Sequence, residues 1–332
     1  MIYAGFIISA FITVWAAVKL STYADVIGEQ TKLGGMLAGT LLLAGATSLP
    51  EVTTSLTAVY LNNPDIAVSN VFGSNLFNIL ILAVFDLIYR KSHIFRSIDK
   101  SHQYAAWIGI TMTAVVFLPM IVPYHFSFFS VGIEMILMVI IYLIGLWVLS
   151  RHQEPVQNEI IPPTVFNDHH KNAISLKEAS YGFAAASVFT LIAGSFLTIT
   201  GDAIAIATGL GSSFMGTFLI AGATSLPEVV AVLVAVQLGN HALAVGNILG
   251  SNMFNLLILA LVDAALRGEA VLQAVHPVTL ITILTVLLLT STALFGMNWI
   301  KRAEQNSKWH TLPSSVIVIM YVILSYLIFI YG

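Results

Sequence analysis

The sequence predicts an all-α integral membrane protein of ten transmembrane helices, arranged as two inverted five-helix repeats. Three observations carry that expectation. The 332 residues are 58% hydrophobic and only 9% charged, with a mean hydropathy of +0.92, whereas soluble domains carry roughly 25% charged residues. Ten stretches reach the ~20 mostly apolar residues that crossing a bilayer requires. A block of 48 residues also recurs at a constant offset of 177, without a gap, and about 30 of its positions are identical.

The ten stretches cover approximately residues 3–24, 35–61, 65–88, 103–122, 127–149, 178–200, 211–238, 242–266, 274–296 and 312–331. Helices are expected because lipid offers backbone groups no partner, and the runs lack the alternation of barrel strands. The first stretch, MIYAGFIISAFITVWAAVKL, has no basic n-region and no convincing small-residue cleavage site, so it reads as a span rather than a signal peptide.

Basic residues set the orientation. With the N-terminus outside, the inner side receives Lys19, Lys32, Arg90, Lys91, Arg96, Lys100, Arg151, Lys171, Lys177, Lys301, Arg302 and Lys308, and the outer side only Arg267. Lys19 lies in the last turns of its span and must snorkel to the interface. The expectation is an N-out, C-out, multi-pass protein of the cytoplasmic membrane. Residues 1–150 form the first repeat, 151–176 a cytoplasmic linker rich in Pro, Asn and charge, and 177–332 the second repeat. His169 and His170 in that linker read as solvated loop residues rather than metal ligands.

Composition also excludes. There are no cysteines, hence no disulfide framework and no thiolate metal site. A net charge of −3 without a basic cluster gives no sign of nucleic acid. The expected partners are inorganic cations and the lipid bilayer; no cofactor is expected, and oligomeric state is left open.

The repeat places GTLLLAGATSLPEVTTSLTAVYLNNPDIAVSNVFGSNLFNILILAVFD, from Gly39, over GTFLIAGATSLPEVVAVLVAVQLGNHALAVGNILGSNMFNLLILALVD, from Gly216. Five spans per half is an odd number, so the second half enters the membrane upside down. Inverted repeats of this kind put their substrate site near the bilayer midplane where the halves meet.

Glu51 and Glu228 occupy the same repeat position, deep within their spans. A charge at mid-bilayer costs at least ~2.5–3.5 kcal/mol, so a function for both is expected. Each follows a proline in ATSLPE. Pro50 and Pro227 donate no backbone hydrogen bond and clash with the preceding turn, so the carbonyls of Ala44–Thr47 and Ala221–Thr224 are expected to be partly released for coordination. The second motif, N-x-x-G-S-N-x-F-N, spans 70–78 and 247–255. Asn70, Ser74 and Asn78 lie at i, i+4, i+8 on one helix face, as do Asn247, Ser251 and Asn255. Gly73 and Gly250 let another backbone approach. Asn70, Asn75 and their mates can alternatively act as polar contacts between packed helices.

The repeat also filters. Thr53, Thr54, Ser55 and Thr57 face Val230, Ala231, Val232 and Val234 in the second copy, so they are expected only to bond back to their own helix. Asp86 and Asp263 are mirrored at span ends, where an interfacial or capping role suffices. Asp25 and Asp202 are mirrored near an interface and are candidates for an access path. Glu134, opposite Thr311, lies inside the fifth expected span as a structural or secondary ion residue. The mirrored donors are all oxygens: carboxylate, hydroxyl, amide and carbonyl. Such sets suit Ca2+, Na+ or Mg2+ over softer metals. Two carboxylates match a divalent charge, and without a cation they tend to hold a proton.

At these motifs the sequence resembles the cation/calcium exchanger superfamily, specifically its prokaryotic sodium/calcium exchanger-like branch. The resemblance implies exchange of Ca2+ for Na+, or for H+, by alternating access around a site formed by the second, third, seventh and eighth spans. It implies that Glu51 and Glu228 are the principal shared ligands, and that Thr47, Ser48, Thr224, Ser225, Ser74, Ser251, Asn78 and Asn255 are side-chain ligands. Ala44 and Ala221 would give backbone carbonyls. Two departures stand out: Ala46 and Ala223 replace a usual glycine before Thr-Ser, and the positions of Asn78 and Asn255 carry an aspartate in some relatives. The short linker leaves no room for the calcium-sensing domains of animal relatives. An intramembrane hydrolase would need a GxGD-type aspartate or a Ser/His pair, and the spans hold neither. A non-transporting ion sensor would bind calcium without flux.

Overall fold

The computed structural model describes residues 1–30, 45–90, 94–96, 100–122, 127–128, 131–152, 174–266, 270–302 and 311–331, and the chain is mostly helical. The helices are α1 (Ile2–Gln30), α2 (Leu49–Tyr60), α3 (Pro64–Ile88), α4 (Lys100–Ile121), α5 (Ile133–His152) and α6 (Leu176–Thr208). The second half continues with α7 (Ser212–Thr224), α8 (Leu226–Gln237), α9 (His241–Ala265), α10 (Thr279–Arg302) and α11 (Leu312–Tyr331). Among the described residues eight helices are long and apolar enough to cross a membrane, or nine when the bent pair α7–α8 counts as one span. Most of the 151–176 linker lies outside the described residues, as does the N-terminal part of the expected second span.

Local chemistry explains the ends. Ser175 and Glu178 form a capping box at the start of α6, and Gly209, at φ 72°, ends that helix in the left-handed conformation that glycine adopts without strain. Asn63 and Asn240, a pair at the repeat offset, cap α3 and α9 by accepting the N–H groups of Ile66 and Leu243 at 3.2 and 2.9 Å.

The expected fifth span is corrected at its start. Ser127–Phe128 (β1) pairs antiparallel with Val131–Gly132 (β2), and the helix begins only at Ile133. An apolar count measures length, not conformation, and cannot see a hairpin at a span mouth. Glu134 sits in the first turn of α5, at the start of the fifth span (Ile133–Arg151), where a helix N-terminus favours a carboxylate.

Helices α3 and α9 form the centre, and α1, α5, α6 and α11 the periphery. Of the most apolar stretch of α3, 72% is buried, against 17% for α11. Phe11, Trp15, Leu143, Trp147, Phe189, Phe196 and Ile323 point outward, as lipid-facing side chains do. The contacts of the halves match: α3 packs against α10 and α11, α9 against α4 and α5, and α3 against α9. The expected close approach at Gly73 is present. A methyl group there would meet the Thr217 carbonyl and lie 2.6 Å from the Thr217 Cα, where α7 runs as a π-helix from Met215 to Ile220.

Gly73→Ala should therefore lower stability by ~1–3 kcal/mol through overpacking against α7. Gly109→Ala in α4, where an added Cβ meets no heavy atom within 4 Å, should leave it unchanged or raise it by ~0.5–1 kcal/mol. Thermal unfolding of the two purified variants in detergent checks both.

Candidate cation site

Proline decides where each acidic side chain sits. The chain breaks at Ser48 (φ −89°, ψ 6°) and at Ser225 (φ −85°, ψ 3°), nearly the same geometry in both halves. Helices α7 and α8 meet at 47°. After each break a new helix begins with proline in its first turn, where the missing N–H is not needed. Glu51 and Glu228 follow in that same turn, so the exposed N–H groups of the helix start favour their negative charge.

A proline strips the carbonyl four residues before it, here Ala46 or Ala223, both within the expected stretches. Ala221 O accepts the Ser225 N–H at 2.9 Å and the Thr224 hydroxyl at 3.2 Å. Ala44 lies outside the described residues.

Both carboxylates are buried, and their charges act on each other. Ser74 Oγ donates to Glu51 Oε1 over a long 3.5 Å, and the Thr224 side chain of α7 lies close to the same carboxyl while donating its proton to Ala221 O. Seven buried oxygens of the expected ligand residues have no partner among the described residues. The first half supplies Ser48 Oγ, Glu51 Oε2 and Asn78 Oδ1; the second supplies Ser225 Oγ, Glu228 Oε2, Ser251 Oγ and Asn255 Oδ1. Each unmade buried hydrogen bond costs ~1–3 kcal/mol. A cation that takes about 6–8 oxygens in flexible geometry fits such a set. Thr47 is buried just before the break. Among the described residues no group of three or more His, Cys, Asp or Glu could hold a metal.

Other candidates have structural partners. The Asn70 amide donates to Thr54 Oγ1 at 2.8 Å and to Ser55 Oγ at 2.9 Å. Asn247 is half-buried beside a copy that has Ala231 and Val232 in place of those hydroxyls. Thr53 and Thr54 bond back to their own helix as expected. Ser55 and Thr57 do not: Ser55 reaches Ala67 O at 3.2 Å, and Thr57 meets Ser195 of α6 at 3.0 Å. Lost symmetry shows that a residue is not a mirrored ligand; it does not say which helix the hydroxyl faces. Asp202 accepts the Asn63 amide at 2.7 Å and thereby ties the start of α3 to α6. The side chain of Asp25 lies outside the described part. Asp86 and Asp263 are buried, and each accepts from the start of the other half's last helix or its approach: Ser314 Oγ at 2.5 Å for Asp86, Gly132 N at 2.8 Å for Asp263, which also takes Val271 N at 2.6 Å.

For Asn75 and Asn252 helix contact is the alternative reading of the sequence. Their side chains donate to each other's backbone carbonyls, closing a ring at the α3–α9 contact, and the Asn78 and Asn255 amides each attach to it by one bond. Behind Asn75 and Asn252 lies a cavity of about 10 Å3 lined in part by Gly109, Thr113, Val286 and Thr290.

Fold and site together define a polytopic helical membrane protein with an all-oxygen, two-carboxylate centre. The family model described as sodium/calcium exchanger protein matches residues 1–151 and 179–330, and the chain belongs to this family of membrane cation antiporters. CaxA of Alkalimonas amylolytica, named as a candidate antiporter, is 27% identical over 79% of this chain and 83% of its own. A structure of the sodium-calcium exchanger NCX_Mj, soaked with sodium and strontium ions, superposes with a TM-score of 0.60 at 18% identity, covering 97% of this chain and 98% of that one. Native YfkE gives 0.63 at 17% identity, over 98% and 92% of the two chains. At these identities the two structures speak for the fold.

Thr54→Val and Ser55→Ala should each reduce stability by ~1–3 kcal/mol, because the Asn70 amide loses a buried acceptor. Thr53→Val, which gives up only a bond to its own helix, should change it by less than about 0.5 kcal/mol. Unfolding midpoints of the three variants in one detergent make the comparison.

Proposed function

We propose that the chain exchanges Ca2+ for Na+ by alternating access around a midplane site held by Glu51 and Glu228. Seven partnerless buried oxygens, drawn from both halves and centred on two carboxylates, carry this reading. Thr47, Ser48, Ser74 and Asn78, with Thr224, Ser225, Ser251 and Asn255, complete the ligand set, while Pro50 and Pro227 shape it. Of the backbone carbonyls first assigned, Ala221 keeps a helical partner in this state.

Charge explains why such a site exchanges rather than leaks. Two carboxylates and one Ca2+ sum to zero, and a neutral site crosses the bilayer centre at low cost. Emptied, it would carry two uncompensated charges, each costing at least ~2.5–3.5 kcal/mol there. The return step therefore requires another cation. Na+ fits the many neutral oxygens around the carboxylates. Proton coupling is the second reading, and the number of acids favours it: with Asn78 and Asn255 neutral, two protons on Glu51 and Glu228 balance the charge as well as one Ca2+ does.

The architecture we propose is ten spans in two inverted repeats, residues 1–150 and 177–332 joined by a 151–176 linker, in the cell membrane with both termini outside. The matched contacts of α3 and α9 support it. So does the cavity lining, where Gly109 and Val286, Thr113 and Thr290, and Asn75 and Asn252 all keep the offset of 177. An antiporter working this way has no need of catalytic residues or a cofactor.

In proteoliposomes, Glu51→Gln and Glu228→Gln should each abolish calcium-dependent transport while the protein remains folded; a fully active double variant would refute the assignment. Calcium uptake driven by an imposed sodium gradient at uniform pH, compared with uptake driven by a pH gradient without sodium, separates the two couplings. Sodium-driven flux is the expected outcome, and flux under the pH gradient alone would establish the proton reading in its place.

A further inference from the structure

Asn78 and Asn255 can serve a cation only through Oδ1; rotated by half a turn, each amide would present its NH2 and repel the ion. Something must therefore hold the amides the right way round. Asn78 Nδ2 donates to Asn252 Oδ1 at 2.8 Å, and Asn255 Nδ2 donates to Asn75 Oδ1 at 3.1 Å. Each ligand amide is thus gripped by the other half's motif.

The grip has a definite sense because it ends on backbone. Asn75 Nδ2 donates to the Asn252 carbonyl at 3.2 Å, and Asn252 Nδ2 to the Asn75 carbonyl at 3.4 Å. A peptide carbonyl only accepts. It therefore dictates that Asn75 and Asn252 turn their NH2 groups toward it and their Oδ1 atoms away. Those Oδ1 atoms in turn accept only the NH2 end of Asn255 and Asn78. The free ends of the ligand amides are then Oδ1, and both atoms are buried and without a partner among the described residues. Every step keeps the offset of 177, so the wiring is the same in both directions.

We infer that Asn75 and Asn252 are positioning residues for the cation: each orients the ligand amide contributed by the opposite repeat, Asn75 acting on Asn255 and Asn252 on Asn78. Neither touches the ion. This rests on the site proposed above, and it makes a claim that ordinary helix packing does not. The two clasps are crossed, so removing one disturbs one ligand and spares the other.

The test exploits aspartate, whose two oxygens are equivalent and leave no wrong end to present. Calcium binding to the purified full chain in detergent is measured by titration calorimetry for Asn75→Ala and Asn252→Ala. Each is made in three backgrounds: wild type, Asn255→Asp and Asn78→Asp. Asn75→Ala should weaken binding about tenfold, the value of roughly one buried hydrogen bond, in the wild type and in Asn78→Asp. In Asn255→Asp it should change affinity less than about twofold. Asn252→Ala should show the reverse dependence. An equal loss in all three backgrounds would mean that the ring only joins α3 to α9, and would overturn the inference, as would no loss in any. Thermal unfolding of each protein accompanies the titration. Where an alanine variant does not fold, Asn75→Ser and Asn252→Ser replace it in the same cycles, and the same crossed pattern is required. The site itself is judged by Glu51→Gln. If that variant binds calcium normally, the site lies elsewhere. If binding needs Glu51 but shows no crossed dependence on Asn75 and Asn252, only the positioning role fails.

Discussion

Two carboxylates sealed from water where two helical halves meet cannot stay charged without a positive partner, and the rest of the molecule is arranged around that constraint. The prolines break the spans so that Glu51 and Glu228 fall at helix starts, whose N–H groups lessen the burden without removing it. The neighbouring hydroxyls and amides add oxygen without adding charge. In the function proposed above, the cargo completes the electrostatic balance of this centre, which would couple the movement of one ion to the movement of another.

Geometry at this centre depends on both halves at once. Glu51 takes a hydroxyl from its own half and lies close to Thr224 of the other, and Asn75 and Asn252 exchange bonds across the α3–α9 contact. At the outer limits of the same two helices, Asp86 and Asp263 anchor to the opposite half, at Ser314 and Gly132. The halves are therefore tied in the middle of the α3–α9 contact and again near the ends of these helices. Helix α1 packs along α6, and α6 is itself bonded to the start of α3 through Asp202 and Asn63.

Much of this was legible because duplication marks what physics preserves. The offset of 177 located both acids, both prolines and the hydroxyl and amide faces without any knowledge of the fold. It also set aside Thr53 and Thr54, which do bond back to their own helix. It could not find the partners of Ser55, Thr57 or Asp202, because each bonds to another helix, and the second-copy counterparts of Ser55 and Thr57 carry no hydroxyl. Counting four residues back from Pro50 and Pro227 leads to Ala46 and Ala223, so the stripped carbonyls were legible in the sequence. The hairpin before α5 was hidden by an apolar run that suits either conformation.

The roles of Asn75 and Asn252 show where reading by symmetry ends. Four asparagines at mirrored positions have the same chemistry and the same burial, and nothing in the motif says which amide faces the ion and which faces a backbone carbonyl. The distinction is directional. Because a carbonyl accepts and never donates, one pair of contacts to main chain propagates a fixed polarity through the ring and leaves Oδ1 of Asn78 and Asn255 as acceptors without a partner among the described residues. An aspartate at either ligand position would supply oxygen without any such wiring. Neutral amides at both positions keep the charge of the centre at two, and the crossed clasps are the structural requirement that comes with that choice.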